Sequence, residues 1–188
     1  MIKDKILVWQ MNRGSIDAIG KMYARYKNDL VSLAASLCKD RSLGEDIVQI
    51  FFIELTERTA SRKAGSSDKF ILTGSLKGYL SVCVANKARS THRQRIKLKV
   101  VGLDDLSRIP AADSAPDYIM AQDETSRQLY RCLDKLPDEQ REVIILHTQY
   151  DTTFKEIAHR SEHSINTIQS RYRYGMEKLK TMLESELI

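Results

Sequence analysis

Apolar residues in this chain recur every three or four positions over long stretches, which is the repeat of an amphipathic α-helix. One such stripe, at spacings of 4, 3, 4, 3 and 4, consists of Ile19, Tyr23, Tyr26, Leu30, Leu33 and Leu37. The alternation that indicates strands is scarce, and only 3 prolines and 8 glycines interrupt the 188 residues. The sequence therefore predicts an all-α fold.

Capping sequences mark where individual helices begin. Ser42 and Glu45 have the S-x-x-E form, in which the serine oxygen accepts the N3 amide and the glutamate reaches back. With Ser42 as the cap, a second helix should therefore run from Leu43 to about Glu57. Its apolar residues lie on more than one side, which predicts contacts from two directions. A third helix is expected over about residues 75–96.

The middle of the chain has the composition of a linker. Pro110 and Pro116 stand there among Asp, Ser and Ala residues. Because helical patterns lie on both sides, we predict two small helical domains, residues 10–97 and 123–188, joined by a flexible linker over residues 98–122.

Basic charge is concentrated in the N-terminal half. Residues 1–96 contain 17 Lys and Arg against 9 Asp and Glu, whereas residues 123–188 contain 10 against 12. Residues 69–103 include lysines and arginines but no acid. Such a cluster releases counterions when it meets phosphate, which predicts contact with nucleic acid. The alternative is an ordinary solvated helix face.

The C-terminal segment has the spacing of a helix-turn-helix. A capping box at Thr153 and Glu156 starts a short helix, and a tight turn at residues 161–163 precedes a second helix. In this motif the N-terminal residues of the second helix enter the major groove. The polar residues that could contact bases or phosphates are Ser164, Asn166, Thr167, Gln169, Ser170, Arg171 and Arg173. An ordinary amphipathic hairpin with a polar face remains the alternative.

Several other classes of protein find no support in the sequence. No apolar run approaches the roughly 18 residues of a membrane span, and no secretory signal begins the chain, so we expect a soluble cytoplasmic protein. Cys38, Cys83 and Cys132 stand far apart, as reduced core residues would. Motifs for an enzyme, a metal site or a cofactor are not found.

Two sets of motifs resemble the extracytoplasmic function (ECF) subfamily of sigma-70 RNA polymerase sigma factors. LPDEQREV at residues 136–143, EIA at 156–158 and TIQSR at 167–171 are similar to region 4 of that family. GEDIVQIFF at residues 44–52 and SLKGYL at 75–80 resemble its region 2, as do Asn86 and Arg93 further along.

This resemblance covers about residues 18–97 and 123–184. The chain departs from the family at the helix-turn-helix turn, where Ser161 and Glu162 stand in place of the usual Leu and Gly.

The resemblance implies a division of labour. Region 2 would bind core RNA polymerase and open the minus-10 promoter element, and region 4 would recognise the duplex minus-35 element. The implied contacts with core polymerase are Glu45, Asp46, Gln49 and Phe52. The implied contacts with the single-stranded minus-10 element are Lys63, Ser66, Ser67, Tyr79, Asn86, Lys87, Arg89, Arg93 and Arg95. Tyr79 is also a candidate core residue, and an anti-sigma factor is a further expected partner.

Two other functions stay open at this point. A stand-alone helix-turn-helix regulator that is not a polymerase subunit would explain the C-terminal motifs but not those at residues 44–52. A helical protein that only sequesters a partner would show no salt-sensitive DNA binding.

Overall fold

The computed structural model describes residues 2–61, 72, 74–100 and 124–186, which form eight helices and no strand. In chain order they are α1 (Ile2–Asn12), α2 (Ile16–Cys38), α3 (Arg41–Ala60), α4 (Leu76–Val100), α5 (Glu124–Asp134), α6 (Asp138–Gln149), α7 (Phe154–Ser161) and α8 (Ile165–Glu186). The all-α prediction is confirmed.

The N-terminal helices α1–α4 pack around one apolar core. The apolar stripe predicted from the sequence lies on α2, where Ile19, Tyr26 and Leu30 are buried. Helix α3 approaches α2 closely at Gly44, since a Cβ there would lie 2.7 Å from the backbone nitrogen of Ala35. A glycine at this position therefore sets the distance between the two helices.

The start of α3 differs from the prediction by two residues. Asp40, rather than Ser42, is the N-cap, and its Oδ1 accepts a hydrogen bond of 3.0 Å from the backbone N–H of Leu43. Ser42 lies within the first turn. Both residues favour N-cap positions, and the sharp turn at Lys39, which has a left-handed φ of 53°, places Asp40 at the cap.

The C-terminal helices have the predicted caps. Thr153 and Glu156 form the capping box of α7, and Ser164 Oγ accepts a hydrogen bond of 3.0 Å from the backbone N–H of Thr167 at the start of α8. Glu162 ends α7 in the left-handed conformation with a φ of 58°. These contacts give the two helices and tight turn that the sequence predicts.

One large apolar residue of α8 points outward. Met176 is 37% exposed, whereas the neighbouring Gly175 packs against α6. A Cβ at Gly175 would lie 2.8 Å from Ile144 Cδ1. Because Gly175 occupies the crossing of α6 and α8, the next residue turns towards solvent.

The two halves of the chain share a core, which the prediction of separate domains does not anticipate. Val82 and Ala85 of α4 and Leu33 of α2 are buried together with Leu146 of α6 and Ile157 of α7. Helix α4 also continues to Val100, into the range predicted as linker. Residues 101–122 of that linker lie outside the described residues.

Candidate polymerase and nucleic-acid interfaces

Helix α3 presents a polar and apolar face to solvent. Asp46 and Gln49 are exposed, and Glu45 is half-buried with an ion pair of 3.3 Å to Arg41 in the preceding turn. Ile50 and Ile53 are 46% and 59% exposed on the same helix. Two large apolar side chains in water beside a carboxylate are typical of a surface that contacts another protein.

Phe52 does not lie on that exposed face. Its ring is buried and packs edge-on against Tyr23, with centroids 5.1 Å apart. It forms part of the wall of a groove of about 440 Å³ between α2 and α3, which Ile16 and Ile53 also line. The sequence motif therefore combines exposed residues with a residue that shapes the groove.

Ile53 is a surface residue that sequence reasoning did not single out. The sequence did contain an indication of this, because apolar residues occur on more than one face of the helix. Periodicity alone does not tell which of the apolar faces is covered.

Tyr79 of α4 lies at the seam between the two halves. The guanidinium of Arg160, from α7, stacks 4.0 Å from the centroid of its ring. Burial raises the pKa of Tyr79 to about 12. The ring also packs against the N-terminal core, which agrees with the alternative prediction that Tyr79 is a core residue.

Asn86 and Arg89 of α4 both contact the C-terminal half. Asn86 Nδ2 donates a hydrogen bond of 2.8 Å to the carbonyl oxygen of Arg160, and its buried Oδ1 has no hydrogen-bond partner among the described residues. Arg89 makes a two-pronged ion pair with Glu142 of α6, in which Nε donates to Oε2 at 3.1 Å. Residues implied in minus-10 binding are thus engaged within the chain.

Other basic side chains of α4 also have acidic partners. Lys87 pairs with Glu54 of α3, and Arg95 lies 3.5 Å from Asp40. Arg93 is exposed and lines a cavity of about 320 Å³ together with Asn86 and Arg89. The segment has no acid in sequence, yet the fold brings acids to it from α3, α6 and the α2–α3 turn.

Three predicted contacts cannot be placed. Lys63, Ser66 and Ser67 lie outside the described residues.

The helix-turn-helix residues divide by exposure. Asn166, Gln169 and Arg173 are exposed on α8, and the cap residue Ser164 is exposed as well. Thr167 and Ser170 are half-buried. The exposed side chains are available to a groove of DNA.

Arg171 faces α6 rather than solvent. Its guanidinium Nη2 lies 2.7 Å from Glu139 Oε2, and its side chain is 19% exposed. This ion pair joins the recognition helix to α6. Sequence reasoning missed it because Glu139 and Arg171 are far apart along the chain.

Neither a metal site nor a membrane span is found in the part of the chain that the structure describes. No group of three or more His, Cys, Asp or Glu side chains there is arranged to hold an ion. No described helix has both the length and the apolar content needed to cross a bilayer.

This chain is similar to known proteins over most of its length. Residues 126–179 match the family model described as "Sigma-70, region 4". The chain is 29% identical over 182 residues to the ECF RNA polymerase sigma factor SigK of Mycobacterium ulcerans, covering 95% of this chain and 92% of that protein. It is 27% identical over 172 residues to SigX of Bacillus subtilis, an ECF RNA polymerase sigma factor, covering 89% and 86%.

Two solved structures share the fold. The sigma factor RpoE from Bartonella quintana, in complex with the anti-sigma factor NepR, matches with a TM-score of 0.62 at 22% identity, covering 88% of this chain and 96% of RpoE. CnrH, in complex with the cytosolic domain of CnrY, also matches with a TM-score of 0.62, at 21% identity and 97% and 98% coverage.

Proposed function

We propose that this chain is a member of the ECF subfamily of sigma-70 sigma factors and that it directs core RNA polymerase to selected promoters and starts transcription there. The observation that carries the proposal is the presence in one chain of an exposed acidic and apolar face on α3 and a helix-turn-helix at α7–α8. The first suits a protein partner, and the second suits duplex DNA.

Core polymerase would bind the outward face of α3. Asp46 and Gln49 supply polar contacts, Ile50 and Ile53 supply exposed apolar area, and Phe52 shapes the adjoining groove. A basic partner surface is the complement of Asp46, and exposed isoleucines add affinity when they leave water.

The minus-10 element would bind along α4. Opened bases need stacking and polar partners, and the backbone needs cations. Tyr79 and Asn86 offer the former, while Lys87, Arg89, Arg93 and Arg95 offer the latter. Lys63, Ser66 and Ser67 are assigned to the same element by family position.

The minus-35 duplex would bind at the N-terminal turns of α8. Asn166, Gln169 and Arg173 present exposed donors and acceptors, and Ser164, Thr167 and Ser170 stand nearby. Arg171 would act chiefly by holding α8 against Glu139. The polymerase supplies all the chemistry, so the chain is not itself an enzyme and needs no cofactor.

An anti-sigma factor is a further partner in this proposal. RpoE of Bartonella quintana, which shares the fold, is bound to an anti-sigma factor in its structure. The outward face of α3 is a candidate surface for such a partner, because an occupant there would compete with core polymerase.

Run-off transcription tests the proposal. Purified chain and core polymerase on a library of genomic fragments are expected to give transcripts that start at discrete positions, which core polymerase alone does not give. The absence of such transcripts from every fragment would refute the sigma function. Salt-dependent duplex binding without polymerase would then favour the stand-alone regulator.

A further inference from the structure

Helix α1 is apolar on two opposite sides, and only one of them is covered. Three residues bury the inner side in the N-terminal core: Leu7, Val8 and Met11. On the outer side, Ile2, Ile6 and Trp9 are 79%, 48% and 57% exposed. Because their spacings are 4 and 3, these three side chains form one outward stripe along the helix. Large apolar side chains that line up in water mark a contact with something outside the chain.

Basic side chains stand on both sides of the outward stripe. With about 100° between successive residues of a helix, Lys3 lies on one side of the stripe and Lys5 on the other. Both are exposed, and neither pairs with a carboxylate in the part of the chain that the structure describes. Arg13, which follows the helix, is also exposed, and its guanidinium lies 4.7 Å from the centroid of the Trp9 ring. The stripe is therefore bordered by positive charge.

The one acidic residue of α1 does not offset this charge. Asp4 turns towards α2, where its Oδ1 accepts hydrogen bonds of 2.8 Å from Arg25 Nη1 and from the Tyr26 hydroxyl. The Asp4 side chain is only 16% exposed. The solvent side of α1 is therefore apolar and cationic.

This combination of apolar and cationic side chains selects among possible partners. A second copy of the chain bound through the same face would bring the lysines of both copies together, and like charges oppose such a contact. Nucleic acid would attract the cations, but its phosphates offer no apolar environment to the stripe. An anionic lipid surface offers both contacts, because lysines meet the headgroups while isoleucine and tryptophan enter the boundary of the acyl chains.

We propose that α1 is a membrane-surface helix, whose outward stripe inserts into an anionic bilayer while Lys3 and Lys5 contact lipid phosphates. The helix lies in the plane of the membrane, since its inner side stays packed in the core. A contact made by a few cations and three apolar side chains is reversible and weakens in salt. None of the residues proposed to contact polymerase or promoter DNA lies on α1, so membrane binding and the sigma function can fail separately.

Fluorescence of Trp9 tests the membrane contact, because it is the only tryptophan in the chain. The whole chain is mixed with vesicles made of equal parts of phosphatidylglycerol and phosphatidylcholine. The Trp9 emission should shift to shorter wavelength as the ring leaves water, and lipids brominated on the acyl chains should quench it. Vesicles of phosphatidylcholine alone should bind about tenfold more weakly or less, because they carry no net charge.

A single substitution on the stripe tests its apolar part. Ile6→Gln makes an exposed apolar side chain polar, so the affinity for the mixed vesicles should fall about tenfold without loss of helicity. Met176→Gln is the matched control, because Met176 is an exposed apolar residue on α8. This control should bind the vesicles as the wild type does. Sedimentation with the vesicles measures both variants.

A pair of substitutions tests the flanking charge. Lys3→Gln with Lys5→Gln should lower the affinity for the mixed vesicles about tenfold or more. Lys178→Gln with Lys180→Gln removes the same charge from exposed positions on α8 and should leave the affinity unchanged.

Several results would overturn the membrane contact. One is a Trp9 emission that does not move with the mixed vesicles, and another is equal binding to vesicles of phosphatidylcholine alone. Equal losses in the two double-lysine variants would assign vesicle binding to the net charge of the chain rather than to α1. A Trp9 shift that appears only with core polymerase, with duplex DNA or at high protein concentration would give the stripe a different occupant.

Discussion

At the scale of single residues, Arg141 joins the two halves of the chain. Its side chain is 1% exposed, and Nη2 donates hydrogen bonds of 3.0 Å to the carbonyl oxygen of Leu37 and 3.1 Å to Asp138 Oδ1. Nη1 donates to Asp134 Oδ1 at 3.3 Å. The arginine of the LPDEQR motif thus caps the end of α2 from α6.

Replacement of Arg141 should therefore weaken the whole fold. Arg141→Ala leaves the Leu37 carbonyl and two carboxylates without their cation, and we expect a loss of about 3 kcal/mol in the free energy of unfolding. Urea unfolding measures this change. Arg131→Ala is the control, because its ion pair with Glu124 is exposed and should contribute less than about 1 kcal/mol. Equal losses in both variants would contradict the bridging role.

The pKa values of buried phenol and thiol groups predict how the stability of the fold changes at high pH. Burial raises the pKa of Tyr26 to about 12 and of Cys38 to about 11, from usual values of 10.0 and 9.0. The stability that these groups contribute is fully present below pH 9 and is lost as the pH rises through 11 to 12.

The melting temperature should therefore fall steeply over that alkaline range. Tyr26→Phe, which removes the hydrogen bond of 2.8 Å to Asp4 Oδ1, should make the fall shallower. A melting temperature that stays constant from pH 8 to 12 would rule out this linkage.

At the scale of elements, the sequence predicted most of the helices because capping and periodicity are local. The caps at Thr153 and Ser164 and the stripe on α2 depend on residues within a few turns of one another. The side on which Arg171 lies was not predictable, because it depends on Glu139 in another helix. For the same reason, the sequence alone could not show which of the recognition residues are exposed and which are half-buried.

Two variants of α8 should therefore behave differently. Gln169→Ala removes an exposed side chain, so duplex minus-35 binding should weaken by about 1–3 kcal/mol with no change in melting temperature. Arg171→Ala breaks the ion pair with Glu139, so its melting temperature should fall as well. Fluorescence anisotropy and thermal melts separate the two effects, and a wild-type melting temperature for Arg171→Ala would contradict the assignment.

A charge reversal on the exposed face of α3 tests whether this face binds core polymerase. Asp46→Lys reverses an exposed charge without touching the core, so affinity for core polymerase should fall about tenfold or more while helicity stays unchanged. Asp17→Lys, an exposed acid on α2 that pairs with Lys21, is the matched control. Pull-down with core polymerase measures both variants. An unchanged affinity for Asp46→Lys would exclude this face as the docking surface.

At the scale of the whole molecule, the sequence indicated two helical halves but not their contact. Two contacts between the halves illustrate this. Arg89 pairs with Glu142, and the Tyr150 hydroxyl donates a hydrogen bond of 2.7 Å to the Asp29 carbonyl oxygen. The two residues of each pair are distant in sequence, so no periodic pattern predicts that they meet. The acid-free basic segment was correctly identified as a charge feature. Its acidic partners come from other elements, so only the fold shows that it is partly neutralised.

A sigma factor brings the minus-10 and minus-35 promoter elements to the same polymerase. Genome-wide mapping of transcript 5′ ends after expression of the chain tests this function most directly. The account predicts new start sites preceded by a shared minus-10 and minus-35 pair at fixed spacing, all of them lost with Asp46→Lys. Bound sites that carry a single duplex motif, with no new start sites beside them, would contradict it.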